Sequence, residues 1–164
     1  MKSMNFAFIV LLVLTASATA LPGAGEYSMS DIIVRNLPAK KQNGSAWDPF
    51  GGAPDVLVAI YIDYGDEVEH YSSTSEKENS GSSAIWSRTE SFFVSAGEAN
   101  REDVELLIKV WDIDSRNGND FIDSGKISFS DLETGEVELE LNYGTVITFE
   151  LEGPFTYDEG VCEG

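Results

Sequence analysis

Apolar and polar positions alternate along most of the chain with a period of two, the pattern of a strand with one face inward. Val104, Leu106, Ile108 and Val110 alternate with Glu105, Leu107, Lys109 and Trp111. Val137, Leu139 and Leu141 alternate with Glu136, Glu138 and Glu140, and Ile147, Phe149 and Leu151 with Thr148 and Glu150. Val56-Leu57-Val58-Ala59-Ile60-Tyr61-Ile62 is nearly continuous and apolar, as a central sandwich strand requires. Weaker strands are expected over residues 28–35, 67–74, 89–95 and 124–128, which brings the number to about eight. Asn142-Tyr143-Gly144 separates the last two strands and predicts a hairpin turn. Gly-, Ser-, Asn- and Asp-rich loops fall at residues 40–54, 72–83 and 115–122, and residues 96–103 have room for a short helix. Many short strands with polar turns predict an all-β, eight-stranded antiparallel β-sandwich.

The start of the chain has a different pattern. Lys2 is followed by an unbroken apolar run over residues 6–14, then by Ala18-Thr19-Ala20 and the helix-breaking Leu21-Pro22-Gly23. This predicts a secretory signal over residues 1–20, with an apolar run too short to span a bilayer. The expected location is therefore secreted: extracellular, or periplasmic in a bacterium.

Charge narrows the partners. The chain carries 10 basic and 29 acidic residues among 164, a net charge of −19. Phosphate binding needs a positive footprint, so nucleic acid is not an expected partner. An aromatic content of 11% and an apolar content of 42% are too high for a disordered acidic chain. The single histidine, His70, and single cysteine, Cys162, exclude an internal disulfide framework and a zinc cluster of Cys/His type.

The acidic residues are not evenly spread. Trp111-Asp112-Ile113-Asp114 is followed by a Gly/Asn-rich bend and Asp120. Asp112 and Asp114, two apart at a strand end, leave the chain on the same face. Three carboxylates brought together repel unless a cation joins them. A hard divalent ion suits such a set, and calcium accepts flexible oxygen cages where magnesium demands a tight octahedron. Asp, Asn and Gly are also ordinary turn residues, so these residues alone leave a cation site and a plain turn as even alternatives. A helix-loop-helix calcium loop is excluded: its fifth and sixth positions would be Arg116 and Asn117, and a strand precedes it. A second acidic stretch, Trp47-Asp48-Pro49-Phe50-Gly51-Gly52-Ala53-Pro54-Asp55, runs into the apolar strand.

These two loops, each abutting a strand, resemble those of the calcium- and lipid-binding C2 domain family. Asn36-Leu37-Pro38-Ala39, Ala84-Ile85-Trp86 through Phe92-Phe93-Val94, and Asp120-Phe121-Ile122 through Ser128-Phe129-Ser130-Asp131-Leu132 carry further likeness. The resemblance implies a C2-like domain over residues 28–152, between a linker (21–27) and an acidic tail (153–164). It implies calcium held by Asp48, Asp55, Asp112, Asp114 and Asp120. The spacing of Asp48 and Asp55 is seven where six is commoner. Val56-Leu57 stands where the family usually has Pro-Tyr, and Ser83-Ala84-Ile85-Trp86-Ser87 where it often has Asn-Pro-x-Trp-Asn. Asp123 replaces a usual glycine and is expected either to add a sixth carboxylate or to face solvent. The number of ions, one to three, stays open.

The family docks on membranes through an electrostatic switch and apolar loop tips. Here Phe50, Ile113 and Phe121 are the candidate tips, with Lys40, Lys41 and Arg116 nearby, although Phe121 is expected in the core. An anionic membrane surface is one partner to expect, and an extracellular protein is the other. Glu136, Glu138 and Glu140, outward, argue against a basic lipid-binding face on their strand, and the acidity of the chain suits the alternative of a calcium-stabilised structural or protein-interaction module without lipid binding. No oligomeric state follows from the sequence. Catalysis is not expected, since the carboxylates crowd at loop tips and His70 is not placed to act as a base. Trp47, Trp86 and Trp111 are expected to pack, Cys162 to be a tail thiol, and Asn43-Gly44-Ser45 is a glycosylation sequon.

Overall fold

The computed structural model describes residues 23–47, 52–101, 103–114 and 118–155. Among the described residues nine strands are formed: β1 (Gly25–Arg35), β2 (Val56–Asp63), β3 (Val68–Ser73), β4 (Ser83–Trp86), β5 (Glu90–Val94), β6 (Glu105–Asp112), β7 (Asp120–Ser128), β8 (Gly135–Glu140) and β9 (Val146–Phe155). All pair antiparallel, in two sheets ordered β4-β1-β9-β8 and β3-β2-β6-β7, with β5 also on β1. The expected helix at residues 96–103 is a single 3₁₀ turn, Glu98–Asn100.

The inward sets predicted from alternation form the core. Val104, Leu106, Ile108 and Val110 are fully buried, as are Val58, Ile60 and Ile62 opposite the last three of them and Ile147, Phe149 and Leu151 in the facing sheet. Glu136, Glu138 and Glu140 point outward. Trp47 and Trp86 are buried and donate from Nε1 to the Pro38 and Ser75 carbonyls, both at 2.6 Å.

The ninth strand has a local cause. Along β1 the buried positions run Tyr27, Met29, then Ile32, Val34, so the alternation slips by one residue. The slip is a bulge: Ser30 pairs with Glu150 but Ile33 with Thr148, and Asp31 takes a positive φ of 49°. The neighbouring edge strand breaks beside it, β5 pairing with Gly25 to Met29 and β4 with Ile32 to Arg35. One expected strand lane is thus two short strands. β1 also takes in Gly25 to Tyr27, within the expected linker, and β9 runs to Phe155, within the expected tail.

At the end of the second sheet that holds the β2–β3 turn, the Lys126 ammonium lies 2.6 Å from the mostly buried Asp63 carboxylate. That hydrogen bond, with one from the Gly65 amide, holds the Asp63 pKa below the usual carboxylate range. A depressed folded-state pKa contributes stability above the unfolded value of about 4, lost as pH falls through and below it. Lys126→Met is expected to begin acid unfolding at a higher pH than wild type, followed by tryptophan fluorescence. Coincident acid limbs would remove this pair from the account.

Candidate metal centre

Strand pairing brings two of the predicted site residues, Asp112 and Asp120, side by side, and the loop between their strands adds Asp114. In register with the rest of β6, Asp112 continues the inward set 104–110 and is only 1% exposed. It lies opposite Val56 on one side and opposite Asp120, the first residue of β7, on the other. Asp114 stands in the loop between β6 and β7. Ligand oxygens of Asp112, Asp114 and Asp120 all lie within 4.8 Å of one another. Two oxygens on one calcium ion, each about 2.4 Å from it, can be about 4.8 Å apart at most. The spacing therefore fits a shared ion, and an all-carboxylate donor set fits a hard one.

The placement of Asp120 depends on a bulge in β7. Val110 pairs with Asp123, but Trp111 pairs with Phe121. Ile122 is the extra residue, and Ile122 and Asp123 are consecutively buried. An unbulged ladder would set residue 121 opposite Asp112. The bulge brings Asp120 there instead, on the inward phase that Asp112 occupies.

The same bulge corrects two expectations. Phe121 is not a core residue: it is 39% exposed and lies edge-on to Trp111 at 5.5 Å and to the exposed Tyr143 at 6.3 Å. Asp123 neither joins the carboxylate cluster nor faces solvent. It is fully buried, its oxygens accepting from the amides of Ser124 (2.8 Å), Tyr143 (3.0 and 3.1 Å) and Thr145 (3.1 Å). It therefore anchors the β8–β9 turn.

Asp55 adjoins the cluster through its backbone. Its N–H donates to Asp112 Oδ1 at 2.7 Å, and its carbonyl accepts from Ile113 N–H at 2.8 Å. Its own Oδ1 accepts from the Asn79 amide at 2.7 Å, and it is not among the three residues whose oxygens converge. The carboxylate instead ties the β3–β4 loop to the end of the β1–β2 loop, beside Ser80 N–H to Pro54 carbonyl at 2.9 Å. Asp48, Phe50 and Arg116 lie outside the described residues, as do residues 1–20 and Cys162.

Sequence reasoning placed Lys41 near the loops but missed its partner. Its ammonium donates to Asp120 Oδ2 and stands 5.7 Å from the Trp47 ring centroid. The bond to Asp120 raises the Lys41 pKa above its ordinary value; the charges of Asp120, Asp114 and Asp112 act in the same direction, and desolvation opposes them. No linear signal links residues 79 apart in sequence.

Two antiparallel sheets packed face to face, with converging carboxylates at one loop end, define a β-sandwich module with an acidic rim. The family model described as C2 domain matches residues 28–142. The chain belongs to the C2 domain family. Its fold is similar to that of a C2 domain from plant Extended Synaptotagmin 1, at 17% identity and a TM-score of 0.58, covering 82% of this chain and 98% of that one. Human GIVD cytosolic phospholipase A2 matches at 14% identity and a TM-score of 0.60, covering 84% of this chain and 18% of that one. The calcium-bound pair of C2 domains from Extended-Synaptotagmin 2 matches at 19% identity and 0.54, covering 79% of this chain and 45% of that one. No curated protein matches the chain in sequence.

Proposed function

We propose that this C2 module is exported and binds calcium at its acidic loop end. The observation that carries the reading is the convergence of Asp112, Asp114 and Asp120 oxygens within 4.8 Å. Membership of a family in which Extended-Synaptotagmin 2 domains are calcium-bound supports it. The family pattern assigns Asp48 and Asp55 as further donors from the first loop. Export rests on the sequence of residues 1–20 and would supply calcium near millimolar, where weak oxygen sites fill. Protein recovered from the medium is then expected to begin at Leu21.

Calorimetric titration tests the site. Saturable binding of one to three ions is expected, with Kd of about 10⁻⁴ to 10⁻³ M, the range of extracellular modules. Asp112→Asn with Asp114→Asn should abolish it. A small loss in proportion to the charge removed would mean diffuse attraction to an acidic surface and would sink the proposal.

A second reading, docking on anionic phospholipid, draws on the exposed Phe121 and Tyr143 flanking the cluster, at 39% and 64%. A net charge of −19 repels such a surface until ions neutralise the rim. Calcium-dependent pelleting with phosphatidylserine vesicles would support docking. Its absence, with calcium binding intact, leaves a calcium-stabilised structural or protein-interaction module.

A further inference from the structure

Lys41 is held in place before any metal arrives. It opens a turn in which Gly44 N–H donates to its carbonyl at 2.8 Å and its own N–H donates to the Ser45 carbonyl at 3.0 Å. Gly44 takes a φ of 83°, open to glycine at little cost. Asn43 Oδ1 braces the turn by accepting from Ser45 N–H at 2.9 Å and Ser45 Oγ–H at 2.6 Å. Just beyond, buried Trp47 pins the loop to Pro38. From this fixed base the Lys41 side chain, 21% exposed, reaches across to Asp120, with the Trp47 ring nearby.

We propose that Lys41 is a tethered cation occupying the charge position of the candidate metal centre, and that a divalent ion must displace its ammonium from Asp120 in order to bind. The inference rests on the reading of this cluster as a calcium site. The ammonium and the ion compete for the same Asp120 carboxylate, since its single negative charge cannot satisfy both at full strength. While seated, the ammonium offsets repulsion among the three aspartates; once calcium is bound, it has lost that partner and stands beside a like charge. Lys41 therefore lowers calcium affinity and stabilises the metal-free loops.

The size of the effect is modest, because the Asp120 side chain is 41% exposed and such pairs are partly screened. Lys41→Met keeps a long apolar side chain and removes the charge. It is expected to bind calcium about fivefold more tightly than wild type by calorimetry in 0.1 M KCl, equivalent to about 1 kcal/mol. Lys41→Arg, which keeps the charge and can grip the carboxylate with two donors, should bind no more tightly than wild type. Without metal, Lys41→Met should unfold at a lower temperature than wild type. Equal calcium affinities in wild type and Lys41→Met, both saturating, would overturn the tether and leave the calcium site standing. Weaker binding by Lys41→Met would overturn it as well, making Lys41 an aid to the site. Binding by neither protein would remove the calcium site itself, and the tether with it.

Discussion

Addition of calcium to 10 mM is expected to raise the midpoint of thermal unfolding by about 4–8 °C. The sign follows from the cluster. In the metal-free protein, Asp112 is buried, and Asp114 and Asp120 bring their oxygens to within 4.8 Å of it, offset by the Lys41 charge. Two unit charges at such a distance repel by about 4 kcal/mol at the effective dielectric near a protein surface. The unfolded chain separates these carboxylates, so their repulsion weakens the fold specifically. A bound ion reverses the balance by favouring the folded state through mass action. At a free concentration about 10 to 100 times Kd the gain is about 1.4–2.7 kcal/mol, and a domain of this size gains about 3 °C for each kcal/mol. The double variant Asp112→Asn, Asp114→Asn should melt at nearly the same temperature with and without calcium. Asparagine in place of Asp112 keeps an Oδ1 able to accept from Asp55 N–H, so the neutral pair tests charge with little loss of shape. Magnesium at the same concentration should do much less, since it parts with its waters reluctantly and demands an octahedron. A wild-type midpoint that calcium does not move would remove the metal from the account of this fold.

How far the sequence revealed this site can be judged strand by strand. The alternation through Val104, Leu106, Ile108 and Val110 carries on to Asp112, so the inward phase of this last strand residue was legible. The meeting of the two loops was expected from the family resemblance alone, since the alternation showed only that β2 and β6 are strands and not that they pair. The bulges were not legible. Nothing in Ser30-Asp31-Ile32 or Phe121-Ile122-Asp123 announces an extra residue, because a bulge is fixed by the register of the neighbouring strand. Each shifts the period of two by one step, and every reading beyond it inverts. In β1 the shift breaks one edge lane into β4 and β5. In β7 it turns an aromatic outward, buries a carboxylate, and sets Asp120 opposite Asp112. The site thus owes its geometry to a feature that a pattern of apolar residues cannot display. The same holds for Lys41 and Asn79: the contacts they make with Asp120 and Asp55 arise only once three loops share one end of the sandwich.

Asp123→Ala is expected to destabilise the protein by about 3–5 kcal/mol, read as a lower urea midpoint at an unchanged slope. Asp123 is fully buried, and its two oxygens satisfy the amides of Ser124, Tyr143 and Thr145. Hydrogen bonds to a charged group contribute about 1.5–3 kcal/mol each, and their sum is less than additive when one group makes them all. Alanine leaves those three donors unmatched, the buried Thr145 amide first among them. Asp123→Asn should cost less, because one carbonyl oxygen survives, yet its NH₂ must then face backbone N–H groups that also donate. Glu136→Ala, on the exposed face of β8, should lie within about 0.5 kcal/mol of wild type. The consequence reaches the candidate metal centre, because Asp123 is the first residue past the bulge on the side away from Asp120. Releasing its anchor frees β7 to shed the extra residue, which would carry Asp120 out of register with Asp112. Calcium affinity in Asp123→Ala should therefore fall by more than the modest fraction of unfolded protein explains. Asp123→Ala within about 1 kcal/mol of wild type would mean that the buried carboxylate does not hold the turn, and the bulge would then need another cause.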